Sequence, residues 1–165
     1  MVNLDSITWG GSGIERCLYE FIIENIPAGS TMVELGGGNV STRVFSEVYD
    51  LYTIEHNAQW INIFPKSTYV YAPIDSQTRW YKRGMVEKKL PKKIDFLFVD
   101  GPSGGGELMR DGLLNHLELF KDCDKILFHD TFREPDLNLA TKVASELSMN
   151  METNTVGDYW AFLTR

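Results

Sequence analysis

The sequence predicts an α/β protein built on an open, mostly parallel sheet with helices on both faces. Three observations predict it. Short β-branched or apolar runs alternate with segments whose apolar residues recur every three or four positions. One run, Ile94-Asp95-Phe96-Leu97-Phe98-Val99, is almost continuously apolar, as a strand buried on both faces must be. Glycine and proline sit at the joints between the runs.

In chain order, Ile14, Cys17, Leu18, Phe21 and Ile22 predict a first helix, ended by Pro27 and Gly29. The lead-in Ser6-Ile7-Thr8-Trp9-Gly10-Gly11-Ser12-Gly13 reads as flexible, either a frayed end or a flap that closes with Trp9 as its lid. Met32, Val33 and Leu35 predict the first strand, Gly36-Gly37-Gly38 a tight turn, and Val44, Phe45 and Val48 a helix capped by Asn39, Ser41 or Thr42. Leu51 to Glu55 is the second strand. Ala58, Trp60, Ile61 and Phe64 predict a short helix stopped by Pro65, and Thr68 to Ala72 a third strand.

Gln77 to Gly84 has little periodicity and reads as a loop over the sheet edge. After the Ile94–Val99 strand, Gly101 to Gly106 reads as a mobile loop, and Leu108, Leu113, Leu114, Leu117 and Phe120 as a helix. Lys125 to Phe128 is the next strand, and Pro135 opens a helix with Leu137, Ala140, Val143, Ala144 and Leu147 inward. Met149 to Thr155 and Asp158 to Leu163, about Gly157, predict a closing hairpin with one antiparallel strand, the seventh in the count.

A chain of 165 residues, 43% hydrophobic, suits a single domain over 1–165. A net charge of -7 argues against a nucleic-acid partner, and the Lys82-Arg83, Lys88-Lys89 and Lys92-Lys93 clusters read as solvated surface. Two cysteines, Cys17 and Cys123, in apolar settings read as buried thiols of a reducing compartment. With no leader pattern and no long apolar run, the expectation is a cytoplasmic protein without a membrane partner.

The chemistry gathers at the predicted carboxyl ends of the strands. A strand, a glycine turn and a helix start form an anion-receptive corner, with Gly36, Gly38 and Ser41 only loosely matching a dinucleotide fingerprint. Glu34, inside the strand end, suits a ligand ammonium group. Glu55, nineteen positions after Gly36, suits the two hydroxyls of a ribose. Ammonium, carboxylate and ribose together describe S-adenosylmethionine. Ile74 and Asp75, beyond the third strand, are candidates to flank its adenine, and Tyr81 and Trp80 are candidate substrate contacts.

Asp100, His129 and Asp130 fall at neighbouring strand ends. Such a set either holds Mg²⁺ or another divalent ion, with Asp100 and Asp130 as ligands, or uses His129 or Asp130 as general base on a hydroxyl. His56 and His116 read as non-catalytic, His56 adjoining the ribose position.

Several motifs resemble the class I S-adenosylmethionine-dependent methyltransferases: Glu34-Leu35-Gly36-Gly37-Gly38-Asn39 with Ser41-Thr42, Tyr52 to Asn57, and Tyr159-Trp160-Ala161-Phe162. Val99-Asp100-Gly101-Pro102 with Phe128 to Glu134 is similar to the polysaccharide-directed group that includes glucuronoxylan 4-O-methyltransferases. The resemblance implies a Rossmann-like, doubly wound fold of seven strands and methyl transfer to a sugar hydroxyl. It implies that Glu34 and Gly36 to Gly38 hold the methionine end, with Asn39, Ser41 and Thr42 in the same turn, and Glu55 with His56 the ribose. Asp100, His129 and Asp130 would meet the acceptor, joined by Tyr81, Ser103 and Arg133 as substrate contacts. His129-Asp130 stands where some metal-dependent relatives carry adjacent acids, so the resemblance leaves the metal open.

The acceptor is then a small molecule or glycan, or a non-sugar hydroxyl, with a homodimer as one way to complete an otherwise open pocket. A nicotinamide enzyme would need a Tyr-x-x-x-Lys pair and a substrate domain, neither of which the sequence offers. A phosphate-loop NTPase would need a Gly-Lys dipeptide after the glycines. A non-catalytic binding module of the same fold is the remaining rival.

Overall fold

The computed structural model describes residues 3–102 and 110–165. Its strands are β1 (Thr31–Leu35), β2 (Asp50–Glu55), β3 (Thr68–Tyr71), β4 (Ile74–Asp75), β5 (Trp80–Tyr81), β6 (Phe96–Val99), β7 (Lys125–His129), β8 (Asn150–Asn154) and β9 (Trp160–Thr164). The helices are α1 (Arg16–Asn25), α2 (Ser41–Phe45), α3 (Arg83–Glu87) and α4 (Glu134–Glu146). Seven strands form one sheet in the order β3-β2-β1-β6-β7-β9-β8. Neighbours from β3 to β7 pair in parallel, and β9 runs antiparallel to both β7 and β8. The predicted sheet, with its one antiparallel strand, is the one observed.

Strand periodicity sorts the core onto two faces. Val33, Leu35, Leu97, Val99, Ile126 and Phe128 face one cluster with α3, α4 and the segment after residue 109. Met32, Phe96, Phe98 and Leu127 face the other, where Leu18 and Ile22 of α1 meet Val44 and Phe45 of α2. Both faces are covered, which is why β6 tolerates no polar residue at all.

Several local expectations differ. The helix expected over Ala58–Phe64 is a single 3-10 turn, Ala58–Trp60, opened by the Asn57 side chain accepting from the Gln59 amide. Helix α2 stops at Phe45, and its N-cap, Val40, makes no side-chain cap bond. The expected loop over 77–84 is instead the β4–β5 hairpin, with Trp80 and Tyr81 fully buried. Residues 110–119 form a 3-10 segment kinked at His116 rather than an α-helix. Asp111, Gly112 and Asn115 are poor helix formers. A Cβ on Gly112 would come within 2.6 Å of Trp80 Cβ, so the segment lies directly on that indole. Gly104 to Gly106 and Leu108 lie outside the described residues.

Cys123 is buried as expected, but Cys17 is exposed, one position off the Leu18–Ile22 stripe. Burial pushes the Cys123 thiol up to about 11. Trp9 is no free lid: its ring packs on Tyr19 with centroids 5.4 Å apart. Among the described residues no helix is long and apolar enough to cross a membrane.

The turn after β1 requires glycine. Gly36 has φ +88°, and a Cβ there would meet Gly101 Cα at 2.8 Å. Gly36→Ala should therefore cost about 3 kcal/mol by urea unfolding, combining overpacking with a left-handed backbone.

Candidate active site

Sheet order reverses at β1, which lies between β2 and β6, and in such sheets ligands bind beyond the carboxyl ends of the strands at that point. A cleft of about 510 Å³ lies there. Of the residues expected from sequence, Gly36, Gly37, Gly38, Asn39, Glu55, His56, Asp100, Asp130 and Arg133 line it. Thr8, Gly10, Ser12 and Gly13 of the lead-in line it as well, so that segment borders the cleft although Trp9 does not.

The glycine turn is a wall more than an anion cradle. Gly36 N donates to Ile54 O at 2.9 Å, Gly37 N to Glu55 Oε2 at 2.8 Å, and Gly38 N to Thr42 Oγ1 at 2.9 Å. Three successive amides are thus satisfied within the fold, so the glycines themselves offer no N–H to an anion. Glu55 Oε1 accepts from Asn57 N at 2.6 Å and lies 3.0 Å from His56 Nδ1. Burial pushes Glu55 up, but His56 and the two amides outweigh it and hold the carboxyl below its usual range.

Glu34 does not reach the cleft. It shares the Met32 face of β1, is fully buried, and accepts from Thr42 Oγ1 at 2.6 Å and Thr53 Oγ1 at 2.9 Å. Burial pushes it up to about 7 despite those hydroxyls. Ser41 and Thr42 are buried with it, supporting the turn from behind rather than meeting a ligand. Ile74 and Asp75 are also elsewhere: Ile74 packs against the core, and Asp75 Oδ1 accepts the amides of Gln77 and Thr78. Tyr81 is sealed in the core, and Ser103 lies outside the described residues.

Asp100, His129 and Asp130 do converge, and the structure adds residues that sequence reasoning passed over. His129 lies between two carboxylates, with Nδ1 2.9 Å from Asp100 Oδ1 and Nε2 2.8 Å from Asp158 Oδ1. Asp158 in turn accepts the amides of Glu15 at 2.9 Å and Tyr159 at 3.0 Å. Arg110, 6% exposed, donates from Nη2 to Asp100 Oδ1 at 3.2 Å and Asp130 Oδ2 at 3.0 Å. From Nη1 it donates to His129 O at 3.0 Å and Asp136 Oδ1 at 3.4 Å. Arg133 braces the same acids, with Nη2 2.7 Å from Asp130 Oδ2 and Nε 2.6 Å from Asp136 Oδ2. Asp130 has φ +63°, a conformation Asp tolerates better than most residues, and this turn holds its carboxylate over the strand end.

No protein-family model and no curated sequence matches the chain. Solved structures do. Precorrin 8W decarboxylase from Methanobacterium thermoautotrophicum aligns over 100% of both chains with a TM-score of 0.58 at 15% identity. The TehB-like SAM-dependent methyltransferase from Corynebacterium glutamicum aligns over 88% of this chain and 85% of its own, with a TM-score of 0.54 at 17% identity. Aeropyrum pernix fibrillarin with natively bound S-adenosyl-L-methionine aligns over 89% of this chain and 72% of its own, with a TM-score of 0.57 at 13% identity.

The fold is Rossmann-like. Within it, the residues do not suit a metal. Ligand atoms of Asp100, His129 and Asp130 lie within 4.8 Å of one another, yet the Arg110 guanidinium bridges the two carboxylates that would have to hold the ion. Nor is His129 a base. Burial favours the neutral ring, but Asp100, Asp158 and Asp130 outweigh it and push its pKa up to about 10, so it is an imidazolium with both nitrogens donating. Its role is to fix Asp100.

A folded-state pKa raised from 6.5 to about 10 adds stability that is complete below pH 6.5 and lost as pH rises through 10. His129→Gln should cost about 3 kcal/mol at pH 6 in urea unfolding, and its deficit against the parent chain should shrink as the pH approaches 10.

Proposed function

We propose that this chain is an S-adenosylmethionine-dependent methyltransferase acting on a hydroxyl of a sugar or glycan. The observation that carries the first half is Glu55. It is a carboxylate at the end of β2, lining the cleft beside Gly37 where sheet order reverses, and it is suited to the paired hydroxyls of a ribose. His56 and Trp60 offer flat faces beside it for a purine ring, and Asp100 offers a carboxylate for an ammonium group. With Glu34 buried, Asp100 takes over the role first given to Glu34. Asn39, Ser12 and Arg133 are the polar groups for a carboxylate tail. The antiparallel β9 supports the same reading, because it departs from the dinucleotide order of strands. So do the names of two of the similar structures.

The cofactor supplies a methyl carbon made electrophilic by the positive sulfur that carries it. The protein's share is position and a proton acceptor. Asp130, held at Oδ2 by Arg110 and Arg133, is the base that takes the acceptor's hydroxyl proton. His129 and Arg110 orient Asp100. The sugar reading draws on the neighbouring surface: Phe132 is 62% exposed and Tyr159 39%, and they meet edge to face with ring centroids 5.8 Å apart. Arg133 lies over the Phe132 ring at 5.7 Å. An apolar ring face next to charged hydrogen-bonding groups suits a hydroxylated ring, which is apolar on its C–H face and polar at its rim.

Glu55→Ala should weaken S-adenosylmethionine binding by about 10- to 100-fold in calorimetry, and unchanged affinity would remove the ribose assignment. Asp130→Asn should keep cofactor affinity and lower kcat by about 10²- to 10⁴-fold in a methyl-transfer screen over free sugars, nucleotide sugars and glycans. A fully active variant would remove Asp130 from the mechanism.

A further inference from the structure

Within the charged centre Arg110 reaches three of the four carboxylates, Asp100, Asp130 and Asp136. Its guanidinium donates to Asp100 Oδ1, the Asp100 carbonyl, Asp130 Oδ2, the His129 carbonyl and Asp136 Oδ1. Those five acceptors come from the ends of β6 and β7 and the first turn of α4. All are oxygens, the donor type a hard divalent cation seeks, and two of their residues, Asp100 and Asp130, line the cleft.

We infer that Arg110 is the resident cation of this site, occupying the position between Asp100 and Asp130 that a divalent ion would otherwise take, so that the centre works without metal. A planar group with five N–H donors can satisfy these oxygens in one fixed geometry. A second positive charge brought within about 4 Å of it would be repelled. Arg110 therefore does two things. It holds the Asp100 and Asp130 carboxylates together against their mutual repulsion, and it closes the site to ions. It is a positioning residue, acting on the acceptor through Asp130. The inference rests on the proposed methyl transfer for its activity arm only, since the cation arm is read on the protein alone.

The test is a titration of the full chain with MnCl₂, followed by electron paramagnetic resonance and thermal unfolding. The parent chain should take up no Mn²⁺ at this centre at about 1 mM, a concentration that fills weak oxygen sites. Arg110→Met should bind Mn²⁺ at least about tenfold more tightly than the parent and gain melting temperature from it, and adding Asp130→Asn should abolish both effects. Arg110→Lys keeps the charge and should stay closed to Mn²⁺. That selective response separates a resident cation from a merely structural ion pair, whose loss would lower stability without creating a metal site.

The inference is overturned if the parent chain binds Mn²⁺ and loses it in Asp130→Asn, or if Arg110→Met responds to Mn²⁺ no more than the parent. Should Arg110→Met not fold, the parent and Arg110→Lys titrations decide alone: closed sites support it and Asp130-dependent binding overturns it. In the activity arm, transfer unchanged by EDTA supports it, and transfer abolished by EDTA and restored by Mn²⁺ overturns it. Absent S-adenosylmethionine binding would count against the proposed function and leave the Mn²⁺ result standing.

Discussion

Four buried or half-buried carboxylates, Asp100, Asp130, Asp136 and Asp158, meet three cations, Arg110, Arg133 and the His129 imidazolium, at the carboxyl edge of the sheet. The rest of the cleft is arranged about that balance. Taking so many charges out of water is costly, and it is tolerated because nearly every one is also hydrogen-bonded in a fixed geometry. The net stabilisation of such a centre is small, while removal of one member leaves its partners buried and unpaired. Its value lies in rigidity: carboxylates that would repel one another are held side by side at the mouth of a cleft.

The fold was legible because its evidence is repetitive. The short buried run of β1, the unbroken Phe96–Val99 run and the three-and-four spacing of α1 and α4 each state the same architecture. Where the periodicity is short, the reading failed. Ala58–Phe64 is apolar but short, and none of its residues is buried, so no helix face meets the core there; Trp80-Tyr81 pairs with Ile74-Asp75 through a turn that no sequence pattern announces.

The site was legible only in part, for a related reason. Strand ends are visible in sequence, so Glu55, Asp100, His129 and Asp130 could be named. The direction of a side chain was missed at Glu34, read as a ligand contact although parity in β1 puts it on the Met32 face, where it is buried under the turn. Arg110 and Asp158 had no such signal. Neither lies at a parallel strand's end or in a glycine turn, the places the sequence marks, and only the folded sheet brings them to Asp100 and His129.

That dependence on the sheet has a mechanical side. The Asp158 carboxylate joins His129 to the amide of Glu15, 143 residues away along the chain, and Asp158 leads into β9, whose Trp160 pairs with His129 of β7. The loop before α1, the last antiparallel strand and the charged centre are therefore fastened to one another, and peeling β9 from β7 would take the cleft's electrostatics with it.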